Sequence, residues 1–185
     1  MELDKVIKSR KSVNKFSKKK PDWKKIIEAI DSTRYAPMAG NLFGLKFILV
    51  SDKEKIQKLS EASQQKFIAD AQYVVVICSN PSRTLNAYEE RGENYLKQQA
   101  GAGIQNFLLK LEDLKLSTCW VGHFVDEQIK KIIKIPKDIN VEAIFPIGYE
   151  NEITKTKQKR KIELDNILYF DEYGKRRMNE KRRLF

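Results

Sequence analysis

A single mixed domain of helices and strands is what the sequence predicts, on three observations. The chain has 185 residues, which suits one domain at roughly 100–200 residues apiece. Hydrophobic residues make up 41% and aromatics 10%, the composition of a globular chain, even though 33% of the residues are charged. Helix-period and strand-type segments interleave from end to end, with no internal repeat and no interdomain linker.

The elements follow in order. Residues 2–11 read as a short helix, with Leu3, Val6 and Ile7 at i, i+3, i+4 spacing. Lys11 to Lys20 is a basic, loop-like link. Pro21-Asp22 opens a second helix running to about Arg34, in which Trp23, Ile26, Ile27 and Ile30 recur at helical intervals. The turn-rich stretch Ala36-Pro37-Met38-Ala39-Gly40-Asn41 leads into a first strand, Leu45 to Val50. Residues 52–68 form a charged amphipathic helix on Ile56, Leu59, Ala62 and Phe67, and the unbroken apolar run Tyr73 to Cys78 suits a strand buried on both faces. Asn80 to Arg91 is polar and shows no clear period.

From Asn94 to Leu114 the positions Leu96, Ala100, Gly103, Ile104, Phe107, Leu108, Leu111 and Leu114 fit a long helix. Glycine costs a helix roughly 1 kcal/mol relative to alanine, so close approach by another helix is the expected use of its glycines. Thr118 to Val121 reads as a third strand ending at Gly122, residues 126–133 as a short helix, and Val141 to Tyr149 as a fourth strand. The chain is then basic and later partly apolar. The domain is drawn over residues 1–174, and residues 175–185, with Lys175-Arg176-Arg177 and Lys181-Arg182-Arg183, form a basic tail.

Composition also excludes chemistry. His123 is the only histidine, and Cys78 and Cys119 are the only cysteines, so there is no zinc-ligand spacing and no disulfide framework. The two thiols in apolar runs fit a reducing cytosol. No G-x-S-x-G elbow accompanies His123, and no G-x-x-x-x-G-K-[ST] loop is present. Gly101-Ala102-Gly103 begins like a dinucleotide fingerprint but lacks the third glycine and sits within a helical pattern. No run approaches the roughly 18 apolar residues of a membrane span, and MELDKVIKSRKS has no apolar signal core. The net charge of +11, from 36 Lys+Arg against 25 Asp+Glu, attracts anions, whether nucleic acid, anionic lipid or a phosphorylated small molecule.

Five blocks in order carry a resemblance to a known family. They are Ser9-Arg10-Lys11-Ser12-Val13-Asn14-Lys15-Phe16; Ala36-Pro37-Met38-Ala39-Gly40-Asn41; Ala71-Gln72-Tyr73-Val74-Val75-Val76; the helix from Gln98 to Leu116 followed by Thr118-Cys119-Trp120-Val121-Gly122; and Ile135-Pro136 with Ile147-Gly148-Tyr149. Over residues 5–174 the chain resembles the flavin-dependent nitroreductase family. The resemblance implies an α+β, nitroreductase-like fold with a central, mostly antiparallel sheet flanked by helices. It also implies a homodimer with flavin mononucleotide (FMN) at the subunit interface.

The same resemblance implies the binding residues. Arg10, Lys11, Ser12 and Asn14 would grip the phosphate and ribityl end, as cationic and polar donors suit that end of the cofactor. Pro37, Met38, Ala39 and Asn41 would reach the flavin from the partner subunit, Asn41 at the ring edge. Leu42-Phe43-Gly44 replaces the family's usual polar and aromatic residues after that asparagine. Gln65, with Gln64 as a one-residue alternative, would contact the ring. Trp120, Val121 and Gly122 would set backbone groups against it, and His123 follows directly. Lys159 and Arg160 resemble a late basic pair at the phosphate, with Lys157 and Lys161 as neighbours able to take the role. No catalytic residue and no metal ligand is expected from the chain, because the cofactor carries the chemistry.

The activity implied is hydride transfer from NADH or NADPH to FMN, then reduction of an electron-poor small molecule such as a nitroaromatic or quinone by a ping-pong route. The alternatives are a specialised flavin task on the same fold, with substrate choice in residues 42–44 and 80–95, or nucleic-acid binding by the basic tail. Scattered lysines without interleaved aromatics argue against the last.

Overall fold

Every residue of the strand Tyr73–Ser79 is buried, and the rest of the molecule is arranged around it. The computed structural model describes residues 2–153 and 162–178. In chain order the elements are α1 (Leu3–Ser9), α2 (Trp23–Asp31), β1 (Leu45–Val50), α3 (Lys53–Ala62), β2 (Tyr73–Ser79), α4 (Ser82–Tyr88), α5 (Arg91–Asp113), β3 (Ser117–Thr118), α6 (Asp126–Ile133) and β4 (Asn140–Gly148). Short 3-10 turns lie at Ser32–Tyr35, Ala39–Asn41, Lys66–Ile68 and Leu164–Asn166.

The strands form one sheet in the order β1-β2-β4-β3, and each neighbouring pair is antiparallel. Alternation along β2 sorts its side chains into two cores. Tyr73, Val75 and Ile77 pack with Ile104, Phe107, Leu108 and Leu111 of α5 and with Ile26 and Ala29 of α2. Val74, Val76 and Cys78 pack with Ile56 and Leu59 of α3 and with Ile129 of α6. A central strand covered on both faces by helices explains the unbroken apolar run. Register slips between Ile77 and Cys78, where Glu142 is the extra residue of β4.

Asp22 and Asp52 start α2 and α3: their carboxylates accept from the backbone N–H groups of Lys24 and Lys55, each at 2.9 Å. The amphipathic segment expected over 52–68 is interrupted. α3 ends at Ala62, Gln64 takes a left-handed φ of 53°, and a separate turn covers Lys66–Ile68. The long helix begins at Arg91, three residues before the expected Asn94, and its Gly103 is indeed a point of close approach. The approach comes from Leu45 of β1, where a β-carbon would fall 3.0 Å from Leu45 Cδ1, and from Thr33 in the 3-10 turn that continues α2, at 3.6 Å. The polar stretch after Asn80 holds α4, started by the Asn80 side chain, which accepts from the Ser82 N–H at 3.0 Å. The third strand is only Ser117–Thr118 plus one isolated pairing of Val121 with Ile144.

The basic stretch after α1 is fastened to the sheet. Val13 N–H donates to the Thr118 carbonyl at 2.8 Å, Ser17 N–H to Tyr149 at 2.8 Å, and Asn151 N–H to Lys15 at 2.9 Å. Val13 and Phe16 are buried beside Ala71. This brings residues 10–12 to the end of β3. Among the described residues no helix is long and apolar enough to cross a membrane.

Candidate functional site

At the exit of β3 the chain leaves the sheet for two residues and returns at Val121. Val121 N–H and the Ile144 N–H donate to each other's carbonyls at 3.0 and 2.9 Å, so the Val121 amide is committed to the sheet. Trp120, between the two pairings, is turned out and is 44% exposed, with its ring 5.7 Å from that of the buried Phe145. Gly122 is exposed, and a β-carbon there would meet only Trp120 Nε1, at 3.8 Å. A side chain would therefore project into the open space beside the indole.

Arg10, Ser12, Gln105, Leu108, Thr118 and Trp120 line one cleft of about 210 Å3. Arg10 and Ser12 arrive on the fastened N-terminal segment, Gln105 and Leu108 on α5, and Thr118 and Trp120 from β3. Thr118 Oγ1 is already engaged, donating to the Pro146 carbonyl at 2.8 Å. Arg10, Ser12, Gln105 and Trp120 make no side-chain hydrogen bond or ion pair among the described residues. A guanidinium, a hydroxyl, an amide and an indole N–H therefore converge with their hydrogen-bonding capacity in hand. Such groups suit an anionic, partly aromatic ligand.

The other expected residues that the structure describes lie elsewhere in the chain. The Lys11 ammonium lies 2.8 Å from Glu150 Oε1, with both side chains three-quarters or more buried, and does not line the cleft. Asn14 is exposed on the same segment. Gln65, half-buried, and the exposed Gln64 line a second cleft of about 490 Å3 with Gln57, Ser60 and Glu61, and this shares no lining residue with the first. Pro37, Met38, Ala39 and Asn41 form a surface turn in which Gly40 and Asn41 both have φ of 56°, a conformation that glycine and asparagine tolerate best. His123 is exposed. Lys159 and Arg160, like Lys157 and Lys161, lie outside the described residues.

The turn after Asn41 is held by a residue the sequence pattern passes over. Gln99 on α5 is buried; its Oε1 accepts from the Gly44 N–H at 2.8 Å and its Nε2 donates to the Leu42 carbonyl at 3.0 Å. Gln105 was equally unmarked, since a polar residue on the outer face of a helix looks the same whether it meets water or a ligand.

The nitroreductase family model matches residues 7–67 and 60–149. The chain belongs to the nitroreductase family. As a member it is an oxidoreductase. It is 26% identical over 153 residues to an Archaeoglobus fulgidus protein named as a candidate NADH dehydrogenase/NAD(P)H nitroreductase, spanning 80% of this chain and 85% of that one. An iodotyrosine deiodinase of Thermotoga neapolitana is 22% identical over 163 residues, 80% of this chain and 88% of its own. Among solved structures, a nitroreductase family protein from Clostridium novyi superposes with a TM-score of 0.76 at 26% identity, covering 95% of this chain and 96% of its own. An FMN-dependent nitroreductase from Clostridium difficile shares the fold, with a TM-score of 0.77 at 21% identity over 91% of this chain and 98% of its own.

The cleft of this nitroreductase-family chain fits part of a flavin mononucleotide. Arg10 and Ser12 suit a phosphate, and the Trp120 indole and Leu108 offer an apolar wall for a ring. Its volume falls below the roughly 300–1,000 Å3 of small-molecule sites.

Proposed function

We propose that this nitroreductase-family chain is an FMN-dependent NAD(P)H oxidoreductase, working as a cytoplasmic homodimer with flavin at the subunit interface. The hydride comes from NADH or NADPH, and the electrons pass by a ping-pong route to an electron-poor acceptor such as a nitroaromatic or quinone. The observation that carries this reading is the convergence of Arg10, Ser12, Gln105 and Trp120 on one cleft without internal partners among the described residues. Bound FMN supplies the redox chemistry.

The chain's residues bind and orient. The Arg10 guanidinium and the Ser12 hydroxyl donate to the phosphate, a charge-assisted arrangement that is stronger than a neutral one. Trp120 and Leu108 keep water from one side of the site, and the Gly122 amide, beside an open space, is available at the ring. Lys11 serves as a positioning residue, because its ammonium is engaged by Glu150. Two features support a second copy completing the site. The cleft is small for a mononucleotide, and Ile162, Leu164 and Ile167 leave an apolar C-terminal segment uncovered, each more than 60% exposed.

The test is the visible absorption spectrum of the purified protein after FMN is added and the excess removed. A retained flavin spectrum that bleaches with NADH or NADPH, on a particle of twice 21.6 kDa in gel filtration, is the expected result. No retained flavin removes the reading. Retained flavin that bleaches but reduces neither nitroaromatics nor quinones points instead to a specialised task, with reductive dehalogenation the first to assay.

A further inference from the structure

Residues 5–25 hold ten lysines and arginines against one carboxylate, that of Asp22, so this short stretch carries +9 of the chain's net +11. Its densest part follows the residues fastened to the sheet. Lys18, Lys19 and Lys20 are consecutive and exposed, and Lys24 is exposed in the first turn of α2. None of the four has a carboxylate partner among the described residues. The acids of α2 are engaged elsewhere: Glu28 lies 2.8 Å from Lys110 and Asp31 2.9 Å from Arg34. Asp22 is occupied in capping the helix. The positive charge of this face is therefore not compensated from within the described chain.

Two of these lysines are also held in place. Lys19 Nζ stands 5.1 Å from the centroid of the Tyr149 ring, and Lys20 Nζ 5.2 Å from that of Tyr73, at the end of the sheet where β2 begins and β4 finishes. Beside them α2 turns two apolar side chains outward. Trp23 and Ile27, one helical turn apart, are 50% and 45% exposed, while Ile26 and Ala29 of the same helix are buried in the core. An indole and an aliphatic side chain edged by lysines make the composition of a helix that lies in the headgroup region of a bilayer. A nucleic acid fits this face less well. Lysines already occupy the tyrosine faces on which bases would stack, and Ile27 has nothing to offer a phosphate chain.

We propose that Lys18, Lys19, Lys20, Trp23, Lys24 and Ile27 form a docking surface for an anionic lipid membrane. The lysines meet headgroup phosphates and carboxylates, the Trp23 indole sits at the interface, and Ile27 reaches the boundary of the acyl chains. The attachment is peripheral and reversible. It shares no residue with the cleft of Arg10, Ser12 and Trp120, so it stands apart from the flavin reading. Each lysine close to such a surface adds about fivefold to binding, and burying the indole adds about tenfold.

The test is co-sedimentation of the full chain with vesicles of phosphatidylcholine, either alone or with about 30% phosphatidylserine. Wild type is expected to sediment with the phosphatidylserine vesicles at low salt and to stay in solution with phosphatidylcholine alone. High salt should release it, which checks the charge dependence without any substitution. The triple variant Lys18→Gln/Lys19→Gln/Lys20→Gln is expected to bind about a hundredfold more weakly, and Trp23→Ser about tenfold. Circular dichroism and flavin content should match wild type in both. Wild type that ignores both kinds of vesicle overturns the proposal, as does equal binding to the two. Undiminished binding by the triple variant or by Trp23→Ser overturns it as well. Retention of a single-stranded oligonucleotide in place of vesicles would assign the face to nucleic acid and overturn it too.

Discussion

Lys11 Nζ and Glu150 Oε1 stand 2.8 Å apart and join the segment after α1 to the residue beyond the end of β4. The two side chains are 24% and 18% exposed, so the pair is screened less than a surface ion pair. A double-mutant cycle of Lys11→Met and Glu150→Gln, read by urea denaturation, is expected to return a coupling of about 1 kcal/mol. Additive losses would show that the contact contributes nothing to holding the segment.

Phosphate recognition separates Arg10 from its neighbours. Arg10→Ala is expected to weaken FMN binding by about ten- to a hundredfold, the worth of hydrogen bonds to a charged group, and Ser12→Ala by about fivefold. Riboflavin, which has no phosphate, should bind wild type and Arg10→Ala equally. Titration followed by flavin fluorescence checks both ligands, and a matching loss for riboflavin would move Arg10 away from the phosphate.

Gln99 satisfies two backbone groups at once. In Gln99→Leu the Gly44 N–H and the Leu42 carbonyl lose their partner at a buried position, which costs about 3 kcal/mol. Thermal denaturation should show the loss, and amide exchange at Gly44 should accelerate by more than the global destabilisation explains. Unchanged protection of that amide would mean that Gln99 does not hold the turn.

Burial among Val74, Val76, Val121 and Ile144, followed by the carboxylates of Glu142 and Asp126, pushes the Cys78 thiol from 9.0 up to about 11. The folded state therefore keeps the proton that the unfolded chain releases, and this contribution is whole below pH 9 and lost as the pH rises to about 11. The stability advantage of wild type over Cys78→Ala should shrink across that interval, measured by denaturant midpoints at pH 8 and pH 11. A constant difference would place the thiol in a wetter setting.

What could be read in advance was what periodicity and local chemistry carry. Six of the seven buried residues of β2 and the aspartate opening α2 are legible because neighbours in sequence decide them. Distant partners decide the rest. Lys11 to Lys20 reads as a link because its order comes from Thr118, Tyr149 and Glu150. Gly103 makes room for Leu45, which no local window could show. α4 has too few apolar residues to show a period. Family resemblance marks Arg10, Ser12 and Trp120, which the fold does gather around one cleft, whereas Gln99 and Gln105 fall within a resembling helix with no role of their own, because that role rests on what faces them.

The hydrogen bond from Val13 to Thr118 and the pairing of Phe16 with Glu150 set an order of events during synthesis. Arg10 and Ser12 are synthesised before the β3 and β4 segments, yet their place at the cleft exists only after those segments have followed. A nascent chain halted before residue 150 can build helices and the β1–β2 pair, but it has no finished seat for a phosphate. Any ligand at that cleft therefore meets the chain late, and its binding energy rewards only chains in which the segment after α1 has already been brought to β3 and β4.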